Sequence, residues 1–239
     1  MGRAYEVRKA SIQKTGAAKG KIYSTYAKEI YQAAKNGGTE VESNAALKRL
    51  IERAKKEQVP QDIIKRAIDK VNSGVDESYT RNNYEIFGPG SSTVIVECLT
   101  DNVNRSVSSL RAVINKCHVK MGAIGSVSYM YENLSIVSFK GLTEEETLNA
   151  LIESDVDIID IECEEDEITV YGEPQNLFKI KDAILKVLPD VKFNLEEMTM
   201  LAKEKIELQG EELETFKKMI DMFEEVEDVA HLYHNVSNV

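Results

Sequence analysis

A chain of 239 residues, 42% hydrophobic and 30% charged, has the composition of a folded protein of one to three domains, which excludes a disordered or fibrous chain. The absence of any run of about 18 apolar residues excludes a membrane-spanning helix. The net charge of −11 conceals an asymmetry: residues 1–75 hold 16 Lys/Arg and 8 Asp/Glu, and the remainder hold 14 and 33. The front can therefore bind polyanions while the acidic body keeps the chain soluble.

Residues 3–15 form a basic arm, followed by Gly16 and Gly20. From Lys21 the spacing predicts a helix. Ile22, Tyr26, Ile30 and Ala33 share one face; Lys21, Lys28 and Lys35 recur every seven residues, within about 40° of one another and roughly opposite Ile30. Gly37-Gly38 ends it. A second helix starts near Ser43-Asn44 and buries Leu47, Leu50, Ile51 and Ala54. Pro60 suits the first turn of a third, which buries Ile63, Ile64, Ala67, Ile68 and Val71 and stops at Ser73-Gly74. The three helices can share one small core with their lysines and arginines outside, giving a helical basic domain over residues 1–80.

Residues 75–81 read as a polar linker, after which the period changes. Tyr84–Phe87 reads as a strand, Gly88-Pro-Gly90 as a hairpin turn, and residues 92–100 as the returning strand, whose run Val94-Ile95-Val96 signals burial on both faces. A helix follows at about 103–117, with Val103, Val107, Leu110 and Ile114 in register. A loop over 120–125 and a strand over 126–131 come next. Asp101, Asn102, Asn104 and Arg105 thus sit where a buried strand becomes a helix, a place rich in free backbone N–H groups. An arginine in a first helical turn opposes the helix dipole. Arg105 therefore makes either a contact to phosphate or a partner, or a local bond to Asp101 or to the cap.

Residues 134–201 read as strand, helix, strand, strand, helix, strand, the split βαβ or ferredoxin-like order, with Thr143 and Glu146 at capping-box spacing. Residues 203–239 add one helix and one strand, which complete the hairpin–helix–strand unit before the insert. The expected class is α+β: an all-helical N-terminal domain, then two α+β domains, one inserted into the other. The expected ranges are 81–132 plus 203–239 for the middle domain and 133–202 for the inserted one.

No phosphate loop, dinucleotide fingerprint, zinc-protease helix or C-x-x-C pair occurs. His231 and His234 fall on opposite faces of a strand, and the acidic run Glu162–Glu167 lacks the alternation and glycine of a calcium loop. No enzyme, metal, cofactor or small-molecule substrate is expected. Cys98, Cys117 and Cys163 are far apart; Cys98 and Cys163 read as small core residues of strands. With no apolar signal core at the start, the setting is expected to be reducing and cytoplasmic, without membrane attachment.

The binding chemistry lies in the basic domain. Arg3, Arg8, Lys9, Lys14 and Lys19 precede the stripe of Lys21, Lys28 and Lys35, and Tyr5, Tyr23, Tyr26 and Tyr31 are interleaved with them. Lysine and arginine neutralise phosphates and tyrosine stacks on exposed bases, so the expected partner is nucleic acid, DNA or RNA, gripped mainly by its backbone. Asp101, Asn102, Asn104 and Arg105 form a candidate second contact surface.

The chain also resembles the YebC/PmpR family. The resemblance is carried by Gly20-Lys-Ile-Tyr23, Glu29-Ile30, Ala33-Ala-Lys-Asn-Gly-Gly38, Glu42-Ser-Asn44, Leu47, Arg53-Ala-Lys55, Val59-Pro60 and Arg66-Ala-Ile68. It continues through Tyr84-Glu-Ile-Phe-Gly-Pro-Gly90, Val94 to Arg105, Gly125-Ser-Val-Ser-Tyr129, Asp228-Val229 and Tyr233-His-Asn235. The resemblance implies a three-domain fold and a transcriptional regulator that binds promoter DNA. Mitochondrial relatives imply the alternative, a translation factor that binds ribosomal RNA or the ribosome. A protein-interaction scaffold is the third reading. The chain departs from the family's common start, having Met1-Gly-Arg-Ala-Tyr5 in place of a Gly-His-Ser-Lys-Trp segment. It also carries His118-Val119 where a Gly-Gly pair is frequent, which implies a stiffer loop.

Overall fold

The computed structural model describes residues 16–74 and 76–239. By internal contacts, residues 129–204 form one compact unit; the other described residues form a second, larger one.

The larger unit begins with three helices, α1 (Gly16–Gly37), α2 (Ala45–Lys56) and α3 (Gln61–Asn72). Their shared core holds Ile30, Ala34, Leu47, Ile51, Ala54, Val59, Ile64 and Ala67. Asn44 makes the α1–α2 corner. Its Oδ1 accepts from the Leu47 N–H at 3.0 Å, capping α2, while its Nδ2 donates to the carbonyls of Ala33 and Gly38 at the end of α1. Both orphaned helix ends are thus satisfied by one buried side chain. A Cβ on Gly37 would lie 2.6 Å from the Asn44 amide nitrogen, so that close approach requires glycine.

Next come β1 (Thr80–Phe87), β2 (Thr93–Thr100), α4 (Val103–Cys117) and the short β3 (Lys120–Met121). After residues 129–204 the unit resumes with α7 (Gly210–Glu225) and β8 (Val229–His234). The sheet order is β3-β1-β2-β8, every pairing antiparallel. All eight residues of β2 are buried, as its apolar run requires of a central strand. Helices α4 and α7 supply Leu110, Val113, Phe216, Met219 and Phe223 to the core over Val94, Val96 and Cys98.

The smaller unit holds β4 (Tyr131–Lys140), α5 (Glu144–Glu153), β5 (Asp160–Glu164), β6 (Glu167–Gly172), α6 (Leu177–Val187) and β7 (Phe193–Ala202). Its order β5-β6-β4-β7 is the ferredoxin-like arrangement. The capping box at α5 is present in full: the Thr143 side chain accepts from the Glu146 N–H and the Glu146 carboxylate accepts from the Thr143 N–H.

Three local expectations are corrected. Strand β1 starts at Thr80, inside the stretch read as linker, because the polar Thr80-Arg-Asn-Asn83 pairs residue for residue with Thr100–Glu97. Residues 126–130 are not a strand: Ser128–Met130 is a 3-10 turn, and the buried Glu85 carboxylate takes backbone N–H groups there that a ladder would have used. Cys163 is exposed rather than core, since β5 is an edge strand.

His118 ends α4 in the left-handed region, at φ 53°. An exposed L-residue there is strained where glycine is not. His118→Gly is expected to raise stability by about 0.5–1 kcal/mol, read as a higher denaturant midpoint; a lower midpoint would contradict the strain.

Candidate nucleic-acid interface

Of the basic residues singled out in the sequence, Arg3, Arg8, Lys9 and Lys14 lie outside the described residues. Lys19 is exposed near the start of α1.

The lysine stripe of α1 faces outward only in part: Lys21 and Lys28 are half-buried against other elements, and Lys35 is exposed. Lys21 Nζ donates to the Glu224 carbonyl at 2.6 Å; burial, only partly offset by the charge of Glu224, brings its pKa down to about 8. Lys28 Nζ, its side chain 12% exposed, donates to the Leu99 carbonyl and to Asp228 Oδ1, at 3.2 and 3.3 Å. Lys35 Nζ donates to Asp76 Oδ1 at 2.5 Å and to the Glu77 carbonyl at 2.7 Å. Helix α1 is therefore engaged on two sides, by the helical core through Ile30 and Ala34 and by β2, residues 76–77 and the α7–β8 region through its lysines. On the same side, Arg81 joins Glu29 of α1 to Glu97 of β2. A polyanion would have to displace these partners to reach the stripe.

The second candidate surface resolves into a cap and an anchor. Asn102 is the N-cap of α4, accepting from the Arg105 N–H at 3.1 Å. Arg105 forms the expected pair with Asp101 at 2.7 Å and a bidentate one with Asp228, Nε to Oδ2 at 3.0 Å and Nη2 to Oδ1 at 2.7 Å. Asp228 is 3% exposed and also accepts from the Ser106 hydroxyl at 2.9 Å. Burial opposes its charge, but the hydrogen bonds from Arg105 and Ser106 and the nearby Lys28 outweigh that and hold its pKa at about 2. Asp101, Asn102 and Asn104 are exposed, and half of the Arg105 side chain remains in solvent. The corner thus combines an open polar rim with a guanidinium committed to a buried carboxylate.

The exposed basic face lies elsewhere, on α2. Lys48, Arg49, Lys55 and Lys56 are exposed and Arg53 is half-buried, with Glu52 the single acid of the helix. Leu47, Ile51 and Ala54 point to the core; at 100° per residue Arg49 and Lys56 lie opposite them and Lys48 and Lys55 on one flank, with Glu52 between the two pairs. Sequence reasoning passed over this helix because its basic residues lack the seven-residue spacing that drew attention to α1. Five basic residues against one acid in 12 was the available signal. Among the described residues, no group of three or more His, Cys, Asp or Glu is placed to hold a metal ion, and no helix is long and apolar enough to cross a membrane.

Comparison with known proteins agrees with this architecture. Residues 3–74 match the family described as TACO1/YebC protein N-terminal domain, and residues 79–236 match TACO1/YebC second and third domain. A protein of Pseudoalteromonas atlantica named probable transcriptional regulatory protein is 45% identical over 235 residues, 98% of this chain and 97% of that one. A Vibrio campbellii protein of the same name is 46% identical, covering 98% and 99%. The crystal structure of a conserved hypothetical protein from Aquifex aeolicus superposes with a TM-score of 0.73 at 30% identity, covering 95% of each chain. The chain therefore belongs to the TACO1/YebC family.

Proposed function

We propose that this protein regulates gene expression by binding nucleic acid in the cytoplasm, without a catalytic step, and that α2 of the helical domain makes the principal contact. The observation that carries the proposal is the exposed residues Lys48, Arg49, Lys55 and Lys56 within residues 1–75, which hold twice as many basic as acidic residues in a chain that is acidic as a whole. Such a face neutralises backbone phosphates and releases counterions; it does not itself read bases. The relatives' name, probable transcriptional regulatory protein, favours DNA as the target. Ribosomal RNA is the alternative target, since phosphate-dominated contacts serve either polymer.

Exchanging Lys48, Lys55 and Lys56 together for Glu tests it. The affinity for duplex DNA or for structured RNA is expected to fall more than about tenfold near 0.1 M salt, and the slope of log affinity against log salt to flatten by about 2–3. Melting should change little, because these side chains are exposed and the Lys48–Glu42 pair is a surface one. An unchanged affinity and slope would remove α2 from the interface.

A further inference from the structure

A cleft of about 360 Å³ opens in the larger unit between α1, α3 and residues 77–79. Its α1 lining comes from positions 24, 27, 28 and 31 and its α3 lining from positions 63, 66, 67 and 70, the spacing of one face on each helix. Ala27 and Ala67 leave the space open; larger side chains at these two positions would close it. Around this small apolar floor stand three cations, Lys28, Arg66 and Lys70. Lys28 Nζ lies 5.8 Å from the centre of the Tyr79 ring and Lys70 Nζ 5.8 Å from that of Tyr31, and the two rings meet edge to face at 5.9 Å. Glu77 and Glu227 supply acceptors; the Glu77 carboxylate accepts from Lys70 Nζ at 2.6 Å and from the Tyr79 hydroxyl at 2.5 Å, bonds that a ligand's phosphate and base would exchange.

This combination suits one class of ligand. The volume is at the low end for small-molecule clefts, about 300–1,000 Å³, enough for one nucleotide and far too little for a duplex. Among the described residues Arg66 makes an exposed pair with Asp62 on its own helix, which costs little to exchange, and its guanidinium carries five donors. A tyrosine face accepts any base, and a carboxylate accepts from the amino edge of one. We infer that the cleft holds one unpaired nucleotide, with its phosphate at Arg66 and Lys70 and its base beside Tyr79 over the Ala27–Ala67 floor. The inference rests on the nucleic-acid reading and adds to it a preference for unpaired segments.

The test uses the full chain and a single-stranded RNA oligomer bearing one 4-thiouridine, with crosslinks mapped by mass spectrometry and a mononucleotide added as competitor in a parallel arm. Crosslinks are expected on the peptide that holds Tyr79. Ala67→Leu, which fills the floor, should abolish them and weaken single-strand binding about tenfold while sparing duplex binding. Arg66→Ser, an exposed change, should weaken the same binding if the leucine variant does not fold. A mononucleotide that displaces the crosslink assigns the cleft to free nucleotides as well; one that does not assigns it to a strand. Crosslinks elsewhere, or unchanged binding in both variants, overturn the cleft and leave the nucleic-acid reading standing. Failure of both single strand and duplex to bind overturns both.

Discussion

Asp228→Ala is expected to lower the stability of the larger unit by about 3–5 kcal/mol, because the buried carboxylate ties α4 to α1 through three side chains. It receives Arg105 and Ser106 from α4 and Lys28 from α1, and its own carbonyl accepts from the Leu99 N–H of β2 at 2.8 Å. Removing it strands Lys28, which is 12% exposed, without its counter-charge. Urea unfolding at neutral pH measures the loss; a cost below about 1 kcal/mol would place the network among surface ion pairs.

The acid limb of stability gives a second reading of the same group. Its ordinary value is 3.8, and the fold holds it at about 2. Above about pH 5 the carboxylate is ionised in both folded and unfolded chains, and its contribution is complete. As pH falls through 3.8 the unfolded chain takes up the proton first, and the contribution drains away until about pH 2. The shift corresponds to about 2 kcal/mol. The gap between the parent protein and Asp228→Asn should therefore narrow over that window.

Glu85→Ala is expected to cost about 3 kcal/mol, for a different reason. The Glu85 carboxylate accepts from the N–H of Gly125 at 2.7 Å and of Ser128 at 3.0 Å, and from that of Val127. Burial opposes its charge, yet these backbone donors outweigh it and hold the carboxyl below its ordinary value. Its contribution is thus present above that ordinary value and is lost on acidification. Alanine leaves the amide groups without a partner, each costing about 1–3 kcal/mol where water cannot reach it. Glu85→Gln keeps one acceptor oxygen and should cost roughly half as much. Protease susceptibility across 120–128 should rise in the order parent, Gln, Ala; an unchanged pattern would show that the loop holds its shape without the carboxylate.

What could be read in the sequence depended on distance along the chain. The Thr143–Glu146 capping box, the α1–α3 core and the buried run of β2 rest on neighbours a few residues apart, and they appear in the structure. Arg105 divided at the same line. Its pair with Asp101 spans four residues and stood among the open readings, whereas the pair with Asp228 spans 123 and had no local trace. The direction of Lys21, Lys28 and Lys35 was illegible because helical periodicity locates a polar face but not what covers it. Those lysines find a carbonyl or carboxylate as far as 203 residues away. Residues 126–130 misled because the donors that shape them bond to Glu85, some 40 residues earlier, and not to a strand partner. Asn44 was legible as a helix start, but its hold on the end of α1 was not.

Crosslinking of the protein in cells, with sequencing of the attached DNA and RNA and mapping of the attached peptides, addresses the central claim most directly. Binding through the helical domain predicts recovered nucleic acid attached to peptides from residues 45–72, and the sequences would name promoters or ribosomal RNA as the target. Recovery of neither polymer above background, or attachment confined to residues 129–204, would contradict it.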